Sequence, residues 1–143
     1  MSKATYDDVN LILRLYEIRR EEKLRAARAW FVANFKCKTM AEMNQLCPPG
    51  SEPNAMFRMV TSYWDMVSSF VNSGVLNEDL LFENTRELLL VYYRIAPLLE
   101  EVRGVFKDPS YMKNLETVAK AYAAYLDRSN PETALAFKAR VGG

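Results

Sequence analysis

Apolar positions recur every three or four residues through almost the whole chain, the spacing of helices with one face turned from water. No segment shows the strict alternation of a half-buried strand, so the pattern predicts an all-α fold. Thr5-x-x-Asp8 has the form of a capping box with Asp in place of Glu, and an apolar-rich segment then runs without Gly or Pro to about Phe35. One long N-terminal helix is predicted there. Thr39-x-x-Glu42 opens a short helix, Met40 to Leu46, which the run Cys47-Pro48-Pro49-Gly50 must end because proline cannot continue it.

Ser51 caps the next helix, which separates into an apolar half containing Phe57, Val60, Trp64 and Val67 and a polar half containing Arg58, Asp65 and several Ser and Thr residues. Small hydroxyl residues on that half permit close approach of a neighbouring helix, although an ordinary serine-rich surface fits as well. Gly74 suits the position after this helix, and Asn77 with Glu78 and Asp79 caps another, read as one bent helix through Pro97 to Phe106. Asp108-Pro109 is read as the start of the following helix, and Pro131 opens a short last one. The predicted architecture is a single-domain bundle over residues 1–143, with four main helices, two short ones, a long N-terminal helix and a proline-kinked central helix.

The first helix carries two apolar patches, Val9 to Ile18 and Leu24 to Phe35, interrupted by Arg19, Arg20 and Lys23. Either both patches pack into one core with the arginines spread over its edge, or residues 24–35 belong to the core and residues 1–18 project as an arm. On the second reading Val9, Leu11, Ile12, Leu13, Leu15, Tyr16 and Ile18 form an interface, with a homodimer as the expected assembly and another protein as the other possible partner. Attachment to a membrane surface is a third use of the same face. A different candidate is an apolar ligand pocket built from Met59, Tyr63, Met66 and Tyr92, between the helix over 54–73 and that over 78–106.

Charge sharpens this picture only slightly. Nineteen basic and eighteen acidic residues leave a net charge of +1, with the basic excess in residues 1–38 interleaved with Glu17, Glu21 and Glu22. That spacing favours ion pairs along the helix, and no nucleic-acid partner is expected. Histidine is absent, which removes the commonest general base and metal ligand, and no nucleophile motif or phosphate-cradling glycine loop occurs. Cys37 and Cys47 lack the close pairing of a zinc motif, so no catalytic residue, cofactor or metal is assigned. The longest apolar runs fall short of the roughly 20 residues of a membrane span, and the N-terminus has no apolar segment after a basic start. A cytoplasmic location is expected.

The stretch Trp64-x-x-Val67-x-x-Phe70-Val71-x-x-Gly74-Val75-Leu76, with Asp79-Leu80-Leu81-Phe82 and Tyr92-Tyr93-x-Ile95-x-Pro97-Leu98-Leu99-x-x-Val102-Arg103, resembles small bacterial all-helical families of unknown function. The resemblance covers roughly residues 56–106 and implies a helical fold, with no activity or site to carry over. The sequence reading is therefore a non-enzymatic contact protein, with ligand binding or sensing as the alternative.

Overall fold

The computed structural model describes residues 3–142, which form eight helices: α1 (Tyr6–Arg19), α2 (Glu22–Asn34), α3 (Met40–Leu46), α4 (Glu52–Asn72), α5 (Glu78–Asn84), α6 (Glu87–Phe106), α7 (Lys113–Ser129) and α8 (Pro131–Gly142). Both capping boxes form. Thr5 Oγ1 accepts from the Asp8 N–H at 3.3 Å while the Asp8 carboxylate accepts from the Thr5 N–H at 2.7 Å, and Thr39 and Glu42 repeat the exchange at the start of α3. At the end of α4, Gly74 takes φ +83° so that its N–H reaches Val71 O and that of Val75 reaches Phe70 O.

Three predicted boundaries are corrected, each by a polar group that supplies a helix end. The long first helix divides at Arg20, because the Glu21 carboxylate accepts from the N–H groups of Lys23 and Leu24 at 2.9 and 3.1 Å and starts α2. The helix predicted over 78–106 divides at Thr85, which is extended. There the Tyr122 hydroxyl lies 2.8 Å from Phe82 O and 2.5 Å from Thr85 O, and accepts from Arg86 Nε at 3.2 Å. α7 begins at Lys113 rather than Pro109: residues 108–112 form turns, Met112 adopts φ +55°, and the Asp65 carboxylate from α4 accepts the Leu115 N–H at 3.0 Å. α6 does run through Pro97, which lies on its exposed side.

α4 packs against α2 and α7, and α6, α7 and α8 complete the body. Phe31, Phe35 and Phe57 stack where α2 meets α4, with centroids 4.8 to 6.4 Å apart. The small polar face of α4 divides in two. Thr61 and Ser68 are buried, with hydroxyls donating to Phe57 O and Trp64 O, whereas Ser62 and Ser73 face water. Arg94 clamps the carbonyl ends of two helices, donating from Nε to Val141 O at 2.9 Å and from one terminal nitrogen to Val32 O and Phe35 O at 3.1 and 2.9 Å.

Candidate interaction surface

α1 is a docked helix and not a projecting arm. The Asp8 carboxylate, buried at 6% exposure, accepts from the Thr5 N–H and also from the Asn77 N–H at 2.8 Å, which ties the start of α1 to the start of α5. Those backbone bonds, from Thr5 first and Asn77 second, hold its carboxyl below the usual range. One turn from the other end, Leu15 enters the core and its carbonyl accepts from the Tyr63 hydroxyl at 2.7 Å. Burial pushes Tyr63 up to about 12, so it remains a donor at any physiological pH. Arg28 then donates to Arg19 O at 3.2 Å.

Docking sorts the seven predicted interface residues. Leu15 is core, and Leu11 and Ile12 are half-buried against it. Val9, Leu13 and Tyr16 remain 42%, 54% and 51% exposed, and Ile18, at 37%, lies on a different flank. Tyr6, which the sequence reading left out, is 78% exposed and extends the outward set. Tyr6, Val9, Leu13 and Tyr16 follow a three-four-three spacing and form one stripe along the solvent side of α1. The arginines do spread over apolar surface, since the Arg19 guanidinium lies 5.5 Å from the Tyr16 ring and 5.4 Å from that of Trp64, and Arg20 lies 5.8 Å from Tyr16.

Beneath α1 a polar cluster joins three further helices. Glu87 Oε2 accepts from Arg28 Nε at 2.8 Å and from the indole N–H of Trp64 at 2.9 Å, linking α6 to α2 and α4. The signal for this acceptor in the sequence is Trp64 itself, since an indole N–H on an apolar face needs a partner. A cavity of about 20 Å³ lies beside the cluster, lined in part by Ile12, Arg19, Tyr63, Trp64 and Thr85, and the Thr85 Oγ1 is buried there without a hydrogen-bond partner. That volume suits one water, far below the roughly 300 Å³ of a ligand pocket.

The predicted apolar pocket is not assembled at this cavity. Of its four residues only Tyr63 lines the space, while Met66 is 39% exposed and Met59 and Tyr92 are half-buried elsewhere against the core. Cys37 and Cys47 are both buried free thiols, and burial pushes Cys47 up to about 11, so neither is primed as a nucleophile. What the arrangement does chemically is hold α1 against the body and leave four apolar side chains facing out.

A family model for a domain of unknown function, DUF4760, matches residues 4–122. The chain belongs to the DUF4760 family. The DUF4760 match spans α1 to Tyr122 in α7, and so takes in the stripe, the Arg28–Glu87–Trp64 cluster and the Tyr122 bonds, while α8 lies beyond it. No curated protein and no solved structure matches the chain. No helix among the described residues of this DUF4760 chain is long and apolar enough to cross a membrane.

Proposed function

We propose that the protein works by contact rather than catalysis, with a second copy of itself as partner and the outward stripe of α1 as the contact face. The exposure of Tyr6, Val9, Leu13 and Tyr16 on one side of a docked helix supports this reading. Apolar area held in water is unfavourable by about 25 cal/mol per Å², and a helix already fixed to the body loses little further freedom when its stripe is covered. Tyrosine at both ends of the stripe adds residues common at interface centres.

Deleting residues 1–18 would be a poor test, because Leu15 and the Asp8 carboxylate belong to the folded body. A point change on the stripe avoids that difficulty. Sedimentation equilibrium over a wide concentration range is expected to show a reversible dimer for the native chain and a monomer for Leu13→Glu, with helicity unchanged and equal thermal midpoints at concentrations where both are monomeric. A native chain that stays monomeric throughout, or a Leu13→Glu variant that dimerises as strongly as the native one, overturns the proposal.

A further inference from the structure

α8 is fastened to the body by very little. Phe137 and Val141 are buried and Ala134 is half-buried, one stripe at a three-four spacing in a helix that packs on α6 and α7, while Leu135 is 73% exposed. Among the described residues one hydrogen bond ties α8 to another helix, from Arg94 Nε to Val141 O at 2.9 Å, and no ion pair does. Arg94 has its own bonds to Val32 O and Phe35 O, so it does not depend on α8 for partners. Twelve residues are thus ordered for three inward side chains, a balance that lets a helix open by itself rather than with the whole domain. α8 also lies beyond residues 4–122, which the DUF4760 model matches.

Its central contact reaches a second element. The Arg86 guanidinium lies 5.8 Å from the Phe137 ring centroid and that of Arg140 5.4 Å, with the Tyr93 ring at 6.3 Å. Arg86 also donates from Nε to the Tyr122 hydroxyl at 3.2 Å, and that hydroxyl sits against Phe82 O and Thr85 O where α5 gives way to α6. Arg86 is exposed, and among the described residues the Phe137 ring and the Tyr122 hydroxyl are the two groups that hold its side chain. We propose that α8 is a releasable strap and that Arg86 couples its docking to the α5–α6 junction. With Phe137 in place the guanidinium stays over the ring and Nε stays on Tyr122. When α8 leaves, Arg86 turns to water, Tyr122 loses a donor and the junction loosens. The coupling runs both ways, because an interaction made only when strap and junction are both closed favours each in the presence of the other. It requires nothing of the α1 face.

Amide hydrogen exchange followed by mass spectrometry on the full chain tests both parts. In the native chain, amides of α8 are expected to exchange more than about tenfold faster than the slowest amides of α4. Exchange of α8 at the α4 rate would mean that it opens only with the whole domain, and would overturn the strap. Phe137→Ala is expected to speed α8 and to speed residues 82–90 about threefold, the effect of a partly exposed cation–π contact, with α4 unchanged. Leu135→Ala, on the exposed side of the same helix, is expected to change neither. A Phe137→Ala chain in which α4 speeds up equally would overturn the independence of α8. Arg86→Ala, at an exposed position that cannot disturb the core, is expected to speed both residues 82–90 and α8. Native rates at 82–90 in Phe137→Ala, or native rates in α8 in Arg86→Ala, would overturn the coupling while leaving the strap standing. In the Arg86→Ala background Phe137→Ala is expected to add nothing at 82–90; a further threefold rise there would overturn the role of Arg86.

Discussion

Glu87 gives the most direct test of how the helices are held together. Its Oε2 accepts two bonds, at 2.9 Å from Trp64 Nε1 and at 2.8 Å from Arg28 Nε, and Trp64 is only 2% exposed. In a Glu87→Ala variant the indole N–H loses its carboxylate acceptor, a penalty of about 1–3 kcal/mol. The Arg28 side chain is a quarter exposed and can turn outward, so the lost ion pair adds only about 1 kcal/mol. The expected destabilisation is about 3 kcal/mol, and for a domain of this length it lowers the thermal midpoint by about 10 °C. Glu87→Gln keeps an oxygen for the indole and loses only the charge, so about 1 kcal/mol and 3 °C are expected. Circular dichroism at 222 nm during thermal and urea unfolding measures both. A Glu87→Ala midpoint within about 2 °C of the native one, or a Glu87→Gln variant as unstable as Glu87→Ala, would refute the claim that the stranded indole donor dominates.

Two further predictions concern buried polar groups. Tyr122→Phe removes the hydroxyl shared by Phe82 O, Thr85 O and Arg86 Nε while keeping the ring stacked 4.3 Å from Phe82, and is expected to cost about 2 kcal/mol with faster amide exchange across residues 82–90; unchanged exchange there would show that the hydroxyl does not hold the α5–α6 break. The carboxyls of Asp8 and Glu21 are both held below the usual range by backbone N–H donors, from Thr5 and Asn77 for the first and from Lys23 and Leu24 for the second. Each favours the charged form when folded, so its contribution is complete above the ordinary carboxylate range and is lost as pH falls through the lowered value. Urea midpoints are therefore expected to be flat from pH 7 to about 5 and to fall below about 4, with a shallower acid limb in Asp8→Asn; an equally steep limb in that variant would exclude Asp8 as a source.

The helix ends marked by nearby residues were legible in the sequence. Thr5, Thr39, Ser51 and Asn77 each accept an N–H from within three residues, and Gly74 takes the left-handed conformation that follows α4. The ends that escaped are those completed from elsewhere in the chain. Tyr122 stabilises the break at Thr85 from 37 residues away, and Asp65 caps α7 across 50. Arg20–Glu21 is a third kind of case: Glu is an uncommon cap, and a run of good helix formers around it gave no reason to stop. The interface list mixes inward and outward residues by the same omission, because a helical wheel cannot tell which side of an amphipathic helix the body will take. Leu15 and Asp8 are assigned to the inside only by Tyr63 and Asn77.

That break at Glu21 has an energetic consequence for the proposed contact. In one continuous helix the two apolar patches would have to share a direction. Division lets Leu24, Ala27 and Phe31 of α2 turn fully into the core while α1 takes its own orientation, with Asp8 and Leu15 inward and the stripe outward. A free segment of 14 residues would lose about 1 kcal/mol or more per residue on becoming ordered at an interface. Four half-exposed apolar side chains return only about 1–2 kcal/mol each, so a loose arm could not sustain the pairing. Bonds from Tyr63, Asn77 and Arg28 meet that ordering cost during folding, and the stripe is presented already helical. The docking that removes the predicted arm is thus what makes a contact through the stripe energetically workable, and weakening it through Tyr63→Phe should weaken dimerisation without touching a single stripe residue.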